Sequence, residues 1–152
     1  MIDTCPYLSN KRFSNLEIFL IEIVGHQKTR TFTLQQAQNL LQLIYRVTED
    51  SSKKVKTLVA CVDALPDKKS PRALEFQDQI NQLIGQWQNK IERLGGRPKG
   101  LWLADFDNGT GYYCWKFPET EISFFHGYQD GFTGRKMIPE KDQPHENSHS
   151  TN

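Results

Sequence analysis

Residues 33–65 read TLQQAQNLLQLIYRVTEDSSKKVKTLVACVDAL, and their spacing decides the fold. Leu34, Ala37, Leu41, Ile44, Thr48, Ser51, Val55, Leu58, Val62 and Leu65 follow one another in steps of 3, 4, 3, 4, 3, 4, 3, 4, 3. That is the stripe of one face of an α-helix. Thr33 with Gln36 three residues on forms a capping box, which marks the start. Glu49-Asp50-Ser51-Ser52 looks locally like a turn. The heptad phase nevertheless continues unchanged across it, and a turn gives no reason to preserve phase. One long helix over residues 33–65 with a weak polar layer is therefore predicted. The alternative is two helices broken near residue 51.

Downstream, Pro66 ends this helix, and Ser70 and Pro71 suit the cap and first turn of another. The second stripe is Ala73, Phe76, Ile80, Leu83, Trp87, Ile91 and Leu94, stopped by Gly95-Gly96. Two amphipathic helices with a short connection pack antiparallel, giving a hairpin over residues 33–94. From Arg97 the period changes to that of strands. Leu101–Phe106, Tyr112–Phe117 and Glu121–His126 read as an antiparallel meander, with Asp107-Asn108-Gly109-Thr110-Gly111 and Pro118-Glu119 as turns. The predicted class is α+β: a long antiparallel helical hairpin followed by a small antiparallel β meander. Residues 31–138 form a single domain in this reading, with the meander and a glycine loop over residues 100–138.

Upstream, Leu16–Val24 fits neither period cleanly, since Glu17 and Glu22 would face opposite sides of a strand and lie about 140° apart on a helix. Residues 1–30 are read as an N-terminal extension. Residues 139–152 are polar and read as a disordered tail containing His145 and His149.

The bulk numbers exclude several function classes. Nineteen basic residues against 18 acidic ones give a net charge of +1, no attraction for nucleic acid or anionic membrane. Hydrophobic residues make up 37% and mean hydropathy is −0.64, so much of the chain is solvated surface. The apolar run Ile18–Val24 is too short to span a bilayer and lacks the cleavage pattern of a secretory signal. Cys5, Cys61 and Cys114 form no CxxC, so neither a zinc-finger nor a disulfide framework is expected, and a reducing, cytoplasmic setting fits.

The second half also carries a specific pattern. Trp102-Leu103-Ala104-Asp105-Phe106, Tyr113-Cys114-Trp115-Lys116, Glu121-Ile122, His126 and Gly131-Phe132-Thr133-Gly134-Arg135, with Phe32–Ala37 at the helix start, resemble the bacterial family known as domain of unknown function 2203. The resemblance covers about residues 31–138. In that pattern an acidic residue follows the histidine, whereas Gly127 stands here. The resemblance implies the fold and no activity.

Cys114, Glu121 and His126 offer a thiolate, a carboxylate and an imidazole, a chemically reasonable metal set. Strand parity constrains it. A two-residue turn at Pro118-Glu119 puts Cys114 and Glu121 on one face and His126 on the other. A three-residue turn puts Cys114 with His126 and excludes Glu121. The plainer reading is a buried cysteine, a Lys116–Glu121 cross-strand pair and a histidine bonding the glycine loop. A third reading makes Cys114 a nucleophile with His126 as base. Asp105, Asp107 and Asp130 could supply carboxylates, although Asp107-Asn108-Gly109 is explained by turn chemistry. Gly131, Gly134 and Arg135 are candidates for anion binding, against a tight turn in which Arg135 pairs with a carboxylate. Arg97, Lys99, Arg135 and Lys136 near Trp102, Tyr112 and Tyr113 could face nucleic acid, but the near-neutral charge argues against that use.

Two functions follow as expectations. The first is a non-enzymatic interaction or scaffold protein that self-associates or binds a protein partner through the hairpin, because no complete catalytic set is assembled. The second is a small metal-binding or thiol-dependent enzyme with its site on the β segment. No cofactor is required by the sequence.

Overall fold

The computed structural model describes residues 30–143. Helix α1 runs Leu34–Ala64 without a break, 31 residues and about 46 Å long. The Thr33 hydroxyl accepts from the Gln36 amide at 3.2 Å, and the Gln36 side chain accepts from the Thr33 amide at 2.9 Å. Glu49-Asp50-Ser51-Ser52 is helical, so the phase argument decides correctly against the break at residue 51. Two devices hold that stretch in the helix. Lys53 and Lys54 pair with Glu49 and Asp50 one turn back. Thr48, Ser51 and Ser52 are buried, and the Thr48 hydroxyl accepts from the Trp87 indole N–H at 2.8 Å. At the far end the Lys68 ammonium donates to the carbonyls of Val62, Asp63 and Leu65, at the helix end where the i+4 amides are missing, and the Leu65 amide also reaches the Val62 carbonyl.

Helix α2 runs Pro71–Arg93, capped by the Ser70 hydroxyl. Its C-terminus is a Schellman motif: Gly96 N–H reaches the Ile91 carbonyl, and Gly95 N–H reaches that of Glu92. Gly95 has φ +90°, which a side chain would strain, and a Cβ there would also press on Phe32. The two stripes meet each other. Leu34, Ala37, Leu41, Ile44, Val55 and Leu58 of α1 are buried, as are Ala73, Phe76, Trp87 and Ile91 of α2.

The sheet has five antiparallel strands in sequence order: β1 Arg97–Gly100, β2 Leu103–Asp107, β3 Gly111–Lys116, β4 Phe124–Gly127 and β5 Lys136–Met137. The expected α+β class and meander are therefore present. The sheet is two strands wider than the sequence indicates. Pro98 disguises β1, but an edge strand tolerates a proline. Strand β2 begins at Leu103 and not at Leu101, because Leu101-Trp102 turns the chain with Trp102 at φ 61°. The Trp102 ring meets Trp87 edge to face at 5.0 Å, a contact that helps offset the left-handed backbone. Strand β4 begins at Phe124, three residues later than expected.

One face of the sheet closes the core. Ala104, Phe106 and Trp115 are fully buried against Phe32, Ile44, Trp87 and Ile91 at the base of the hairpin. Phe32 N–H also bonds the Asp107 carbonyl at 2.7 Å, and Ile122 N–H bonds the Gln38 side chain at 3.0 Å. These contacts make hairpin and sheet one packed unit. The beginning of the expected tail carries a 3-10 turn at Glu140–Asp142. The readings of residues 1–29 and 144–152 lie outside the described residues. Cys61 is disulfide-bonded, against the expectation of reduced thiols, which among the described cysteines holds for Cys114. No helix among the described residues is long and apolar enough to cross a membrane.

Candidate functional site

The other face of the sheet carries the polar residues. Side chains alternate along strands, so register decides which of them meet. Asp105 stands opposite Cys114, Cys114 opposite Phe124, and Tyr112 opposite His126. Asp105, Cys114 and His126 therefore share the face turned away from the hairpin. One ligand atom from each lies within 4.8 Å of the other two. All three are nearly inaccessible, at 2% for Asp105, 0% for Cys114 and 3% for His126.

This outcome corrects part of the expected set. The β3–β4 register is the one a three-residue turn dictates, so Cys114 joins His126 and Glu121 is excluded. Glu121 is exposed and accepts a hydrogen bond from the Ser123 hydroxyl at 3.1 Å. The expected Lys116–Glu121 pair does not form, and the Lys116 amide bonds the Glu119 carboxylate at 2.9 Å. Asp105 takes the place given to Glu121. The signal for it was present: closing the Asn108–Thr110 turn so that Asp107 opposes Tyr112 also sets Asp105 opposite Cys114. Asn108 builds that turn by accepting from the amides of Thr110 and Gly111.

His126 is held from both sides. Its Nδ1 lies 2.9 Å from the Gly127 carbonyl, which can only accept, so Nδ1 carries a proton. Its Nε2 lies 3.2 Å from Asp105 Oδ2. The histidine's carboxylate thus comes from 21 residues upstream and not from its chain neighbour. Asp105 Oδ1 has no hydrogen-bond partner although it is fully buried. An orphaned carboxylate oxygen is costly unless something else satisfies it. The Cys114 thiol is pushed up to about 12 by burial first, then by the charge of the adjacent Asp105 carboxylate and the thiol's hydrogen-bonding approach to it, while Arg135 acts in the opposite direction.

Close approach of β3 to β4 depends on Gly111, since a Cβ there would overlap the His126 carbonyl oxygen and press on Gly127. Residues 127–135 fold over the polar face. The Arg135 guanidinium stacks on Phe124 at 4.1 Å and Phe132 at 4.3 Å, and donates to Glu119 at 2.8 Å. The Arg135–Glu119 pair is the contact that the tight-turn reading of this loop expects. Asp130 adds negative charge there, accepting from the Gly127 amide. Asp107 serves its turn by accepting from Gly109 N–H at 2.9 Å, and it also accepts from the Tyr128 hydroxyl at 2.8 Å.

Beneath this loop is a cavity of about 360 Å³ whose lining includes Lys99, Asp105, Tyr112, His126, Tyr128 and Phe132. A larger depression of about 600 Å³ runs along α1 past Gln38, Gln42 and Arg46, but no buried titratable group lines it. The smaller cavity, with the buried side chains of Asp105 and His126 in its lining, is the better candidate site.

The family model described as "Uncharacterized conserved protein (DUF2203)" matches residues 30–138. No curated protein and no solved structure matches the chain.

Proposed function

Because the chain belongs to the DUF2203 family of uncharacterised conserved proteins, we propose its function from its own residues: it binds a divalent transition-metal ion through Asp105, Cys114 and His126. The observation that carries this reading is the orphaned Asp105 Oδ1 inside a buried carboxylate–thiol–imidazole cluster. A cation would satisfy that oxygen, and the oxygen–sulfur–nitrogen donor set suits zinc or a borderline neighbour. At a tetrahedral zinc, bonds of about 2.3 Å to sulfur and about 2.0 Å to nitrogen place neighbouring donors about 3.5 Å apart. Donors within 4.8 Å of one another therefore reach that geometry by closing up to about 1.3 Å, within the range of side-chain adjustment. His126 donates its Nδ1 proton to a carbonyl, the usual arrangement for a histidine that ligates through its other nitrogen.

Titration of the protein with cobalt(II) tests the proposal. The expected result is one equivalent bound with an intense thiolate-to-cobalt charge-transfer band, lost in Cys114→Ser. Metal-free purified protein that also shows no such band would leave a purely structural polar network.

The alternative thiol-enzyme reading draws less support. A thiol pushed up to about 12 is protonated at neutral pH and is a poor nucleophile. Metal-free native protein at pH 8 should therefore leave Cys114 unmodified by iodoacetamide, while unfolded protein reacts. Rapid native alkylation would revive a nucleophilic role. The scaffold expectation rested on seams longer than the β segment could cover. Those seams largely cover each other, and Leu43, Val59 and Leu74 are scattered exposed apolar residues of the ordinary kind.

A further inference from the structure

The three donors are not placed alike around the cavity. Asp105 and His126 line it, whereas Cys114 does not. A metal held by all three would therefore sit at the cavity floor, with its remaining coordination position toward the open side. Among the described residues no fourth histidine, cysteine or carboxylate joins the cluster. Asp107, the nearest acid on the same strand face, is engaged by Gly109 and Tyr128. Three protein ligands with an open position are the pattern of reactive sites, while structural sites are closed by four.

The walls indicate what would enter. Tyr112, Tyr128 and Phe132 supply aromatic surface, with Tyr112 and Tyr128 packed edge to face at 5.0 Å. Lys99 and Arg97 stand at the Tyr112 ring, at 5.7 Å and 5.4 Å from its centroid. Neither forms a salt bridge among the described residues, and Arg97 spends its hydrogen bond on the Tyr112 hydroxyl at 3.0 Å. A cation without a carboxylate partner beside a metal favours an oxyanion, and aromatic walls favour a flat organic body behind it.

We propose that the site takes a small organic oxyanion, of the aromatic carboxylate class, at the open metal position, with Lys99 as its second anchor. This inference rests on the metal-centre reading. The experiment uses the full chain loaded with cobalt(II), with benzoate and azide as probes. Both should shift the cobalt d–d bands saturably while the thiolate band persists. Lys99→Ala should weaken benzoate on the order of tenfold, the scale of one charge-assisted hydrogen bond, and Lys99→Arg should retain most of the affinity. A cobalt spectrum indifferent to millimolar benzoate and azide overturns the open position and leaves the metal centre standing. Equal benzoate affinity in Lys99→Ala overturns the anchor. Absence of any thiolate-to-cobalt band overturns this inference together with the reading beneath it.

Discussion

Trp87→Ala lowers the free energy of unfolding by about 3–5 kcal/mol, the range for deleting a fully buried large aromatic side chain. Trp87 is 0% exposed and lies where hairpin and sheet meet. Its ring packs edge to face on Trp102, and its indole N–H satisfies the buried Thr48 hydroxyl. Truncation thus opens a cavity and also strands a polar group in the polar layer of α1. A domain of this size has about 5–15 kcal/mol to lose, so the alanine variant can unfold outright. Trp87→Phe keeps much of the volume while removing the donor and part of the ring, and should cost about 1–3 kcal/mol. Urea melts of both variants, with equal slopes, measure the difference. A loss below about 1 kcal/mol for Trp87→Ala would mean that the helix–sheet junction is not part of the cooperative core.

Asp105→Asn has the largest expected effect at the site. The amide is nearly the same shape and its NH2 can donate to His126 Nε2, so the fold should survive with a small change in stability. The anionic ligand is nevertheless gone. Losing groups that merely support metal ligands costs about 10–100-fold in affinity, and losing a direct ligand should exceed about 100-fold. Cobalt(II) affinity measured by competition with a chelator reads this directly. Asp105→Ala should add a penalty of about 1–3 kcal/mol to unfolding, because His126 Nε2 is then buried without a partner. Glu121→Ala is the control, since that side chain is exposed and 105, not 121, supplies the carboxylate. Unchanged cobalt affinity in Asp105→Asn would remove the carboxylate from the metal set.

The two halves of the chain differ in how far they could be read in advance. The α1 stripe was legible because helical phase is local: each residue's face follows from its neighbours one turn away. Even the deceptive Glu49–Ser52 stretch yielded to that argument, and the structure adds only why Thr48 is polar, which is the Trp87 bond. In the β segment, parity alone left Cys114 with either Glu121 or His126. Two turns decided the question, the Asn108–Thr110 turn and the longer connection before Phe124. Asp105 was visible as one of three carboxylates, and closing the Asn108–Thr110 turn joins it to Cys114, but nothing local joined it to His126.

By itself, then, the sequence determined the hairpin, its phase, the change to strands after Arg97 and the family to which residues 30–138 belong. These depend on periodicity and caps, which act over a few residues. Only the tertiary structure decided which acid meets the thiol and the imidazole, that Asp105 Oδ1 is orphaned, and that Arg135 is spent on Glu119 and two phenylalanine rings. Those outcomes depend on strand register, and a shift of one residue in register turns every side chain to the opposite face.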